Sequence, residues 1–366
     1  MMKRKLLLTG IFLSLFLAGQ AYVSDALAER SRPLQVVATL PDYGVLVRTI
    51  GAERVSVQTI VQGDQDAHFI RPKPSFVDMV RRADLLITTG LDLEMWLPTV
   101  IDKSGNTRIR SGKPGYVGVA RGITLLDKPK NLSRAEGGVH IYGNPHLTCS
   151  PINMQTVARN ITVGLVRNDP EGKDYYQTNL KKLLDQFNER LFGKDLVKFL
   201  GGQTLSRLAE KGALLAFLES HKFKGKALIE YLGGWAKKML PLRGVRIVTY
   251  HENWLYFVRL FELDAVGTVE PKPGIPPSPK HVAGLIDLMR KQSVRIILAA
   301  NYFDHQKIKT VAAKVGAAPV IVSIYVGGAP RTDDYFMLVD SWIDALLSAA
   351  REKGVLKAPQ KGTSDK

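Results

Sequence analysis

The stretch "GDQDAHFIRPKPS", residues 63–75, places one histidine, His68, after two aspartates and before two prolines. Proline has no backbone N–H, and it pushes the preceding residue toward extended geometry. The segment therefore fits neither the interior of a helix nor a central strand. It follows a strand-like run, "RVSVQTIV" at residues 54–61, and precedes a helix-like run that begins at residue 74. We expect a stiff loop at the carboxyl end of a strand, holding His68 in one place.

Strand-like and helix-like runs alternate on both sides of this loop. "LQVVATL" (34–40) and "DLLITTG" (84–90) are apolar runs of strand length, and amphipathic helical segments separate them. The same alternation resumes after residue 242 and continues to "YFMLVDSWIDALLSAA" (335–350). Alternating strands and helices are typical of parallel sheets covered by helices. The sequence therefore predicts an α/β fold with two similar parallel-sheet lobes.

The segment between the two alternating regions is helical in pattern. Apolar residues recur at helical spacing over residues 171–200, and a helix of that length would extend roughly 45 Å, long enough to cross two domains. Residues 201–241 interrupt the pattern as a helical insertion whose role the sequence does not indicate. We divide the chain into a signal peptide (1–28), an N-terminal α/β lobe (29–170), a long connecting helix (171–200), a helical insertion (201–241), a C-terminal α/β lobe (242–356) and a loose tail (357–366).

The first residues have the pattern of a secretory signal. Lys3, Arg4 and Lys5 precede an apolar run of 13 residues, and a small-x-small cleavage pattern ends at Ala28. The apolar run is too short to span a bilayer comfortably, so an uncleaved membrane anchor is the weaker interpretation. We expect cleavage near Ala28 and a periplasmic mature protein.

Composition narrows the class of protein. The formal net charge of +17 would suggest a nucleic-acid partner in a cytosolic protein, but the basic residues are spread along the chain and export separates it from nucleic acid. Cys149 is the only cysteine, so no internal disulfide can form. We expect a monomer with a conventional hydrophobic core.

Three histidines lie where strand ends are predicted. His68 follows residues 54–61, His146 lies in "GNPHLTCSP" (143–151), and His251 ends "VRIVTYH". Ligands in open α/β sheets bind at the carboxyl ends of strands. A lone histidine is usually a structural residue, but three that obey the same positional rule suggest a shared cleft between the lobes. Imidazole is a common zinc ligand, and three imidazoles leave one tetrahedral position open.

A tri-histidine zinc with an open position is also the layout of a hydrolytic enzyme, in which Glu252 could act as the base. The chain has no His-Glu-x-x-His helix, no Gly-x-Ser-x-Gly elbow and no P-loop, which disfavours an enzyme. A carrier of a chelated metal or of haem is a further alternative. Ligands that converge from separate strand ends favour a bare ion.

The chain resembles the metal-binding family of periplasmic solute-binding proteins that feed zinc or manganese ABC importers. The motifs that carry the resemblance are "GDQDAHFIRPKPS" with the following "FVDMVRRADLLITTGLDLEMWL", then "GNPHLTCSP", then "VTYHENWLYFVRLFEL". The resemblance implies two α/β lobes joined by one long rigid helix, a metal site in the cleft between them, and a membrane permease as partner. It also implies that His68, His146 and His251 are the metal ligands.

The sequence departs from the family pattern at the fourth ligand. The family often supplies an aspartate just after the last strand, where this chain has Ser323 and Ile324. The alternatives are a water molecule, His140, or a loop aspartate such as Asp333 or Asp334. A surface position is the favoured interpretation for His140, and capping of the final helix is the favoured role of the aspartates.

Other candidates have more ordinary interpretations. Asp66 is expected to brace the histidine loop by accepting backbone N–H bonds, and Cys149 to be a small buried apolar residue. Glu94 and Trp96 are expected to orient the first lobe without contacting the metal.

The donor set favours zinc. Manganese prefers oxygen ligands, and nitrogen sites bind zinc far more tightly than manganese. The sequence thus predicts a binding protein, not an enzyme, that captures Zn²⁺ as its transported ligand. Because the imidazoles must be neutral to bind, affinity is expected to fall as the pH drops through about 6.5.

Overall fold

The computed structural model describes residues 32–129, 140–271 and 274–356. The predicted signal peptide (1–28) and tail (357–366) lie outside these residues. Across the described ranges, none of the helices combines the length and the apolar character needed to cross a membrane.

The first lobe is built on a four-stranded parallel sheet with strand order β2-β1-β3-β4. In its centre, Val36 of β1 pairs with Val57 on one side and Leu85 on the other. The apolar run that predicted the first strand forms β1 and is buried toward its end. The elements are β1 (Leu34–Ala38), α1 (Pro41–Gly51), β2 (Val55–Thr59), α2 (Pro74–Arg81), β3 (Leu85–Thr88), α3 (Leu97–Ser104) and β4 (Tyr116–Gly118).

The second lobe contains another four-stranded parallel sheet, with strand order β10-β9-β7-β8. Its central strand β9 is buried along its whole length, as expected for a strand covered on both faces. The elements are β7 (Arg246–Thr249), α10 (Leu255–Leu260), β8 (Asp264–Thr268), α11 (Pro279–Lys291), β9 (Ile296–Ala300), α12 (His305–Val315), β10 (Ala318–Val322) and α13 (Tyr335–Glu352).

The two sheets have the same topology. Numbered within its own lobe, each sheet has the order 2-1-3-4, so the chain reverses direction across the sheet after the second strand in both lobes. The prediction of two similar α/β lobes is confirmed. In such sheets the carboxyl ends of the strands on either side of the reversal form the natural ligand crevice.

Two long helices follow the first sheet and precede the second along the chain: α4 (Pro151–Asn168) and α5 (Lys173–Phe192). Helix α5 contacts both lobes. Asn179 donates a hydrogen bond from its side chain to the carbonyl of Ile50, 3.1 Å away, and the Phe187 ring centroid lies 4.9 Å from that of Phe336 in α13. The connection is therefore packed into the core, which restricts how the lobes can move.

The single helix predicted over residues 171–200 is divided in the structure. Helix α5 ends at Phe192, and Gly193 separates it from α6 (Lys194–Leu200). Gly193 has a φ of 82°, and a Cβ atom there would lie 2.6 Å from the Cα atom of Gly233. The break thus allows two backbone segments to touch, a tertiary contact that helical periodicity alone does not reveal.

The segment after α6 forms short helices and a hairpin packed against α5. Gln155 of α4, Asn188 of α5 and Ser206 of the insertion share a hydrogen-bonded cluster, in which the Ser206 hydroxyl lies 3.0 Å from the Asn188 side-chain oxygen. The insertion is thereby fastened to both long helices. Its elements are α7 (Gly202–Glu210), α8 (Leu214–Ser220), β5 (Lys222–Phe223), β6 (Lys226–Ala227) and α9 (Gly234–Met239).

Candidate metal centre

Four of the seven histidines meet between the lobes: His68, His140, His146 and His251. Each can offer one ring nitrogen, and these four nitrogens all lie within 4.8 Å of one another. The rings of His146 and His251 are almost fully buried, with 2% and 3% exposure, and the other two are partly buried. The three histidines proposed from the sequence are therefore brought together, and a fourth joins them. The expected strand end at His146 is wrong, because His146 directly precedes the 3₁₀ turn Leu147–Cys149 that leads into α4.

His68 lies in a single 3₁₀ turn, Ala67–Phe69, after strand β2. Asp66 precedes the turn, and its Oδ1 atom accepts a hydrogen bond from the His68 backbone N–H at 3.0 Å and lies 2.6 Å from Nδ1. The indole N–H of Trp96 donates to the Ala67 carbonyl at 2.8 Å. The turn is thus held by a carboxylate on one side and an indole on the other. This agrees with the stiff loop that was predicted from the sequence.

His146 is positioned by Asn144 in the same way. The Asn144 side-chain oxygen accepts from the His146 backbone N–H at 3.0 Å and lies 2.9 Å from Nδ1. In both loops, therefore, a side chain two residues before the histidine orients the backbone and the ring of that histidine.

His140 and His251 are oriented by residues distant in sequence. The Nδ1 atom of His140 lies 3.1 Å from Asp92 Oδ1, and the other Asp92 oxygen accepts from the Ile141 backbone N–H at 2.9 Å. In the second lobe, His251 Nδ1 lies 3.0 Å from Glu270 Oε2. The structure disfavours the interpretation of His140 as a surface residue.

The Nδ1 atom of each of the four histidines lies within 3.1 Å of an oxygen atom, although His251 Nδ1 has no hydrogen bond in this geometry, so the Nε2 atoms are the nitrogens left for the centre. The Nε2 atoms of His146 and His251 are buried without a hydrogen-bond partner, and those of His68 and His140 lie 3.2 Å apart. Nitrogen ligands at about 2.0–2.1 Å from a tetrahedral zinc ion lie about 3.3 Å from one another. The His68–His140 pair already has that spacing, and the widest pair would have to close by up to about 1.5 Å.

Burial favours the neutral form of two of the four imidazoles, those of His140 and His146. Burial, followed by the proximity of the other three histidines, lowers the pKa of His146 well below its usual 6.5. Burial also lowers the pKa of His140, although Asp92 opposes the shift. Burial raises the pKa of Asp66, but the hydrogen bonds from His68 outweigh this and the net pKa lies below 3.8. Neutral imidazole beside ionised carboxylate is the state that binds metal ions.

The lobes also touch next to the histidine cluster. The loop after β10 packs directly against the first lobe, where the backbone at Gly328 approaches Gly63. The approach is so close that a Cβ atom added to Gly63 would lie only 2.2 Å from the Gly328 nitrogen. The hydroxyl of Ser323 donates to the Gly63 carbonyl at 3.3 Å, and the Val326 N–H donates to Asp42 at 3.3 Å. Burial raises the Asp42 pKa to about 7. The segment where the family often has an aspartate ligand is used here for packing between lobes.

The remaining sequence candidates lie outside the cluster. Cys149 is fully buried, as expected, and Asp334 caps α13 by accepting from the Met337 N–H at 2.8 Å. Glu94 is buried and accepts hydrogen bonds from Thr39 and Thr89. Glu252, the base considered for an enzyme, faces Asp127, and burial together with that neighbour raises the pKa of Glu252 to about 7.

Three orienting residues were missed at the level of sequence: Asp92, Asn144 and Glu270. Asn144 had a detectable signal, because it stands two residues before His146 as Asp66 stands before His68. Asp92 and Glu270 are 48 and 19 residues from the histidines they orient, so only the fold reveals them.

Comparison with known proteins supports the same interpretation. The sequence profile of the family described as "ZnuA: Zinc-uptake complex component A periplasmic" matches residues 36–190 and 225–349. The unmatched residues between these ranges, 191–224, overlap the predicted insertion.

Characterised relatives resemble the chain over nearly its full length. The "High-affinity zinc uptake system protein ZnuA" of Bacillus subtilis is 21% identical over 92% of this chain and 93% of its own length. The "Manganese ABC transporter substrate-binding lipoprotein PsaA" of Streptococcus anginosus is 25% identical over 92% of this chain and 97% of its own. A crystal structure of a zinc-bound ZnuA deletion mutant shares the fold, with a TM-score of 0.62 and 20% identity, and covers 90% of this chain and all of its own.

Proposed function

Because this chain belongs to the ZnuA family of periplasmic metal-binding proteins that serve ABC importers, we propose that it captures Zn²⁺ between its lobes and delivers it to a membrane permease. Members of this family bind and carry metal ions and are not enzymes, which confirms the choice of a carrier over a hydrolase. The ligands in this proposal are His68, His140, His146 and His251.

The observation that carries the proposal is the convergence of one ring nitrogen from each of four histidines, with the Nε2 atoms of His146 and His251 buried without a hydrogen-bond partner. A buried polar atom without a hydrogen bond is costly, and a bound cation would remove that cost at both positions. Four nitrogens that lie within 4.8 Å of one another leave space for one ion between them. That spacing favours a bare ion over haem or another chelate.

The choice of zinc rests on the donor atoms. Four imidazoles offer nitrogen alone, and the carboxylates of Asp66, Asp92 and Glu270 face Nδ1 atoms on the far side of the rings. Manganese prefers oxygen ligands, whereas zinc accepts tetrahedral nitrogen sites and binds them more tightly. The relatives carry names for zinc, for manganese and for iron, so the choice of zinc for this chain depends on the donor atoms of its site.

Capture and release follow from the distribution of ligands. The first lobe contributes three histidines, and an ion bound to them is enclosed when the second lobe brings His251 into contact. The packed helix α5 limits the motion to a small approach of the lobes. Docking on the permease would draw the second lobe away and leave the ion with fewer ligands.

The direct test is a competition titration of the mature protein with Zn²⁺ and with Mn²⁺ against a chromophoric chelator. The proposal predicts one tightly bound zinc per chain and manganese binding weaker by several orders of magnitude, as the affinity order for nitrogen sites requires. His221→Ala serves as the matched control, because His221 lies in the insertion and contacts Phe217. Equal affinities for both metals, or no zinc binding, would refute the proposal.

A further inference from the structure

Asn144 uses its polar groups on both sides of the cleft. Its side-chain oxygen orients His146 in the first lobe, and its side-chain N–H donates to the carbonyl of Glu252 in the second lobe at 2.7 Å. Its backbone carbonyl accepts from the Tyr256 hydroxyl, also in the second lobe, at 2.7 Å. Asn144 is 3% exposed, so solvent cannot replace these bonds while the lobes are closed.

Tyr256 completes the contact from helix α10. Its hydroxyl donates to Asn144 and also accepts from the backbone N–H of Leu126 at 3.3 Å, so one buried group joins two first-lobe segments. Those segments are themselves linked, because the Asn144 N–H donates to the Leu126 carbonyl at 2.8 Å. The second lobe therefore holds the backbone that carries the orienting amide of His146.

The other three orienting groups, which are all carboxylates, are arranged differently. Asp66 and Asp92 belong to the first lobe together with His68 and His140, and Glu270 belongs to the second lobe together with His251. Each of these carboxylates contacts a ring of its own lobe, so these contacts do not depend on the opposite lobe. Within the described residues, Asn144 is the orienting group whose own hydrogen bonds cross the cleft.

We infer that Asn144 and Tyr256 form an inter-lobe joint that couples lobe opening to the orientation of His146. Opening the cleft then weakens the ion site twice, by withdrawing His251 and by freeing the amide that fixes the His146 ring. Partners that hold the second nitrogen of a ligating histidine fix its tautomer and direction, and their loss costs about 10–100-fold in metal affinity. This inference rests on the proposed function and assigns Asn144 and Tyr256 a positioning role in release.

The test is Tyr256→Phe, which deletes one hydroxyl and keeps the ring. Stopped-flow transfer of zinc to a chelator should show dissociation faster by about tenfold, with the association rate little changed. The matched control is Tyr335→Phe, because the buried Tyr335 hydroxyl also crosses between lobes, donating to the Thr148 carbonyl at 2.6 Å. That control should lose a similar amount of thermal stability and keep the wild-type rate of zinc release.

A double-mutant cycle separates the joint from simple lobe closure. If Tyr256 acts through His146, Tyr256→Phe will still speed zinc release when His251 is replaced by alanine. If it acts only by bringing His251 into place, it will have no effect in that background, and the inference is overturned. A wild-type protein that binds no zinc would overturn the proposed function instead, so the two failures are distinguishable.

Discussion

The two lobes share one topology but contribute unequally to the proposed ion site. The first lobe supplies His68, His140 and His146, drawn from two loops, while the second supplies His251 alone. All four are oriented by oxygen acceptors, so the lobes differ in the number of ligands and not in how each is prepared.

This inequality suggests a division of labour. Three oriented imidazoles on one lobe can receive an ion before closure, so the first lobe determines where the ion binds. The single ligand on the second lobe, with the joint at Asn144, then determines how long the ion stays. The predictions below test that division in order of decreasing effect.

The largest effect is expected from His146→Ala. His146 is buried, and its ring centroid lies within 5.5 Å of each of the other three rings, so its loss removes the centre of the first-lobe group. Zinc affinity in a chelator competition assay should fall by more than about 100-fold, beyond the range seen when an outer partner is lost. His221→Ala should match the wild type. A smaller loss than that in His251→Ala would contradict the division between lobes.

His251→Ala should come next, with zinc affinity lower by about 100-fold and an unchanged fold by circular dichroism. Three first-lobe imidazoles remain, so the association rate should be largely kept and the dissociation rate should rise. Stopped-flow measurement of both rates gives the result directly. Unchanged zinc affinity would refute the role of the second lobe.

Acid should release the ion progressively. The lowered pKa values of His146 and His140 mean that the folded protein binds fewer protons there than the unfolded chain does. Stability of the metal-free protein should therefore fall as the pH drops below about 6.5, because the unfolded state gains protons that the folded state resists. Because His140 and His146 stay neutral below the usual imidazole pKa of 6.5, protons should compete with zinc for these two ligands only at lower pH, by up to about tenfold in affinity per pH unit for each proton displaced. Isothermal titration from pH 8 to pH 5 measures the zinc affinity, and a steep loss already between pH 8 and pH 7 would contradict neutral imidazole ligands.

The smallest effect is expected from Asp92→Asn, which removes the negative charge behind His140 and preserves the shape of the side chain. Affinity should fall by about tenfold, the lower end for an outer partner of a ligating histidine. Asp78→Asn is a suitable control, because Asp78 pairs with Arg81 on an exposed face. An effect no larger than that of the control would indicate that His140 does not bind the ion.

The extent to which sequence anticipated this structure depends on the range of the interactions. Apolar runs such as residues 34–40 and 294–300 form central strands. They were predictable because a strand that is buried on both faces has a nearly continuous apolar sequence. The loop of His68 was also predictable, since proline and aspartate act on adjacent backbone. The break at Gly193 was not, because its cause is the distant Gly233.

The same distinction applies to the ion site. His68 and His251 could be proposed from their positions after strands β2 and β7, whereas His146 follows no strand directly and was proposed correctly only through the family resemblance. The partly buried position of His140 could not be predicted, because its partner Asp92 is 48 residues away and nothing in the intervening sequence indicates that they meet. The orienting role of Glu270 toward His251 likewise depends on the pairing of β7 with β8.

The central claim is that one ion is held by four imidazoles from both lobes. X-ray absorption spectroscopy at the zinc edge, on the mature protein loaded with one equivalent, tests it most directly. We predict four nitrogen neighbours at about 2.0–2.1 Å with the outer-shell scattering of four imidazole rings, falling to three in His140→Ala. A shell containing carboxylate oxygen, or a spectrum unchanged by His140→Ala, would contradict the account.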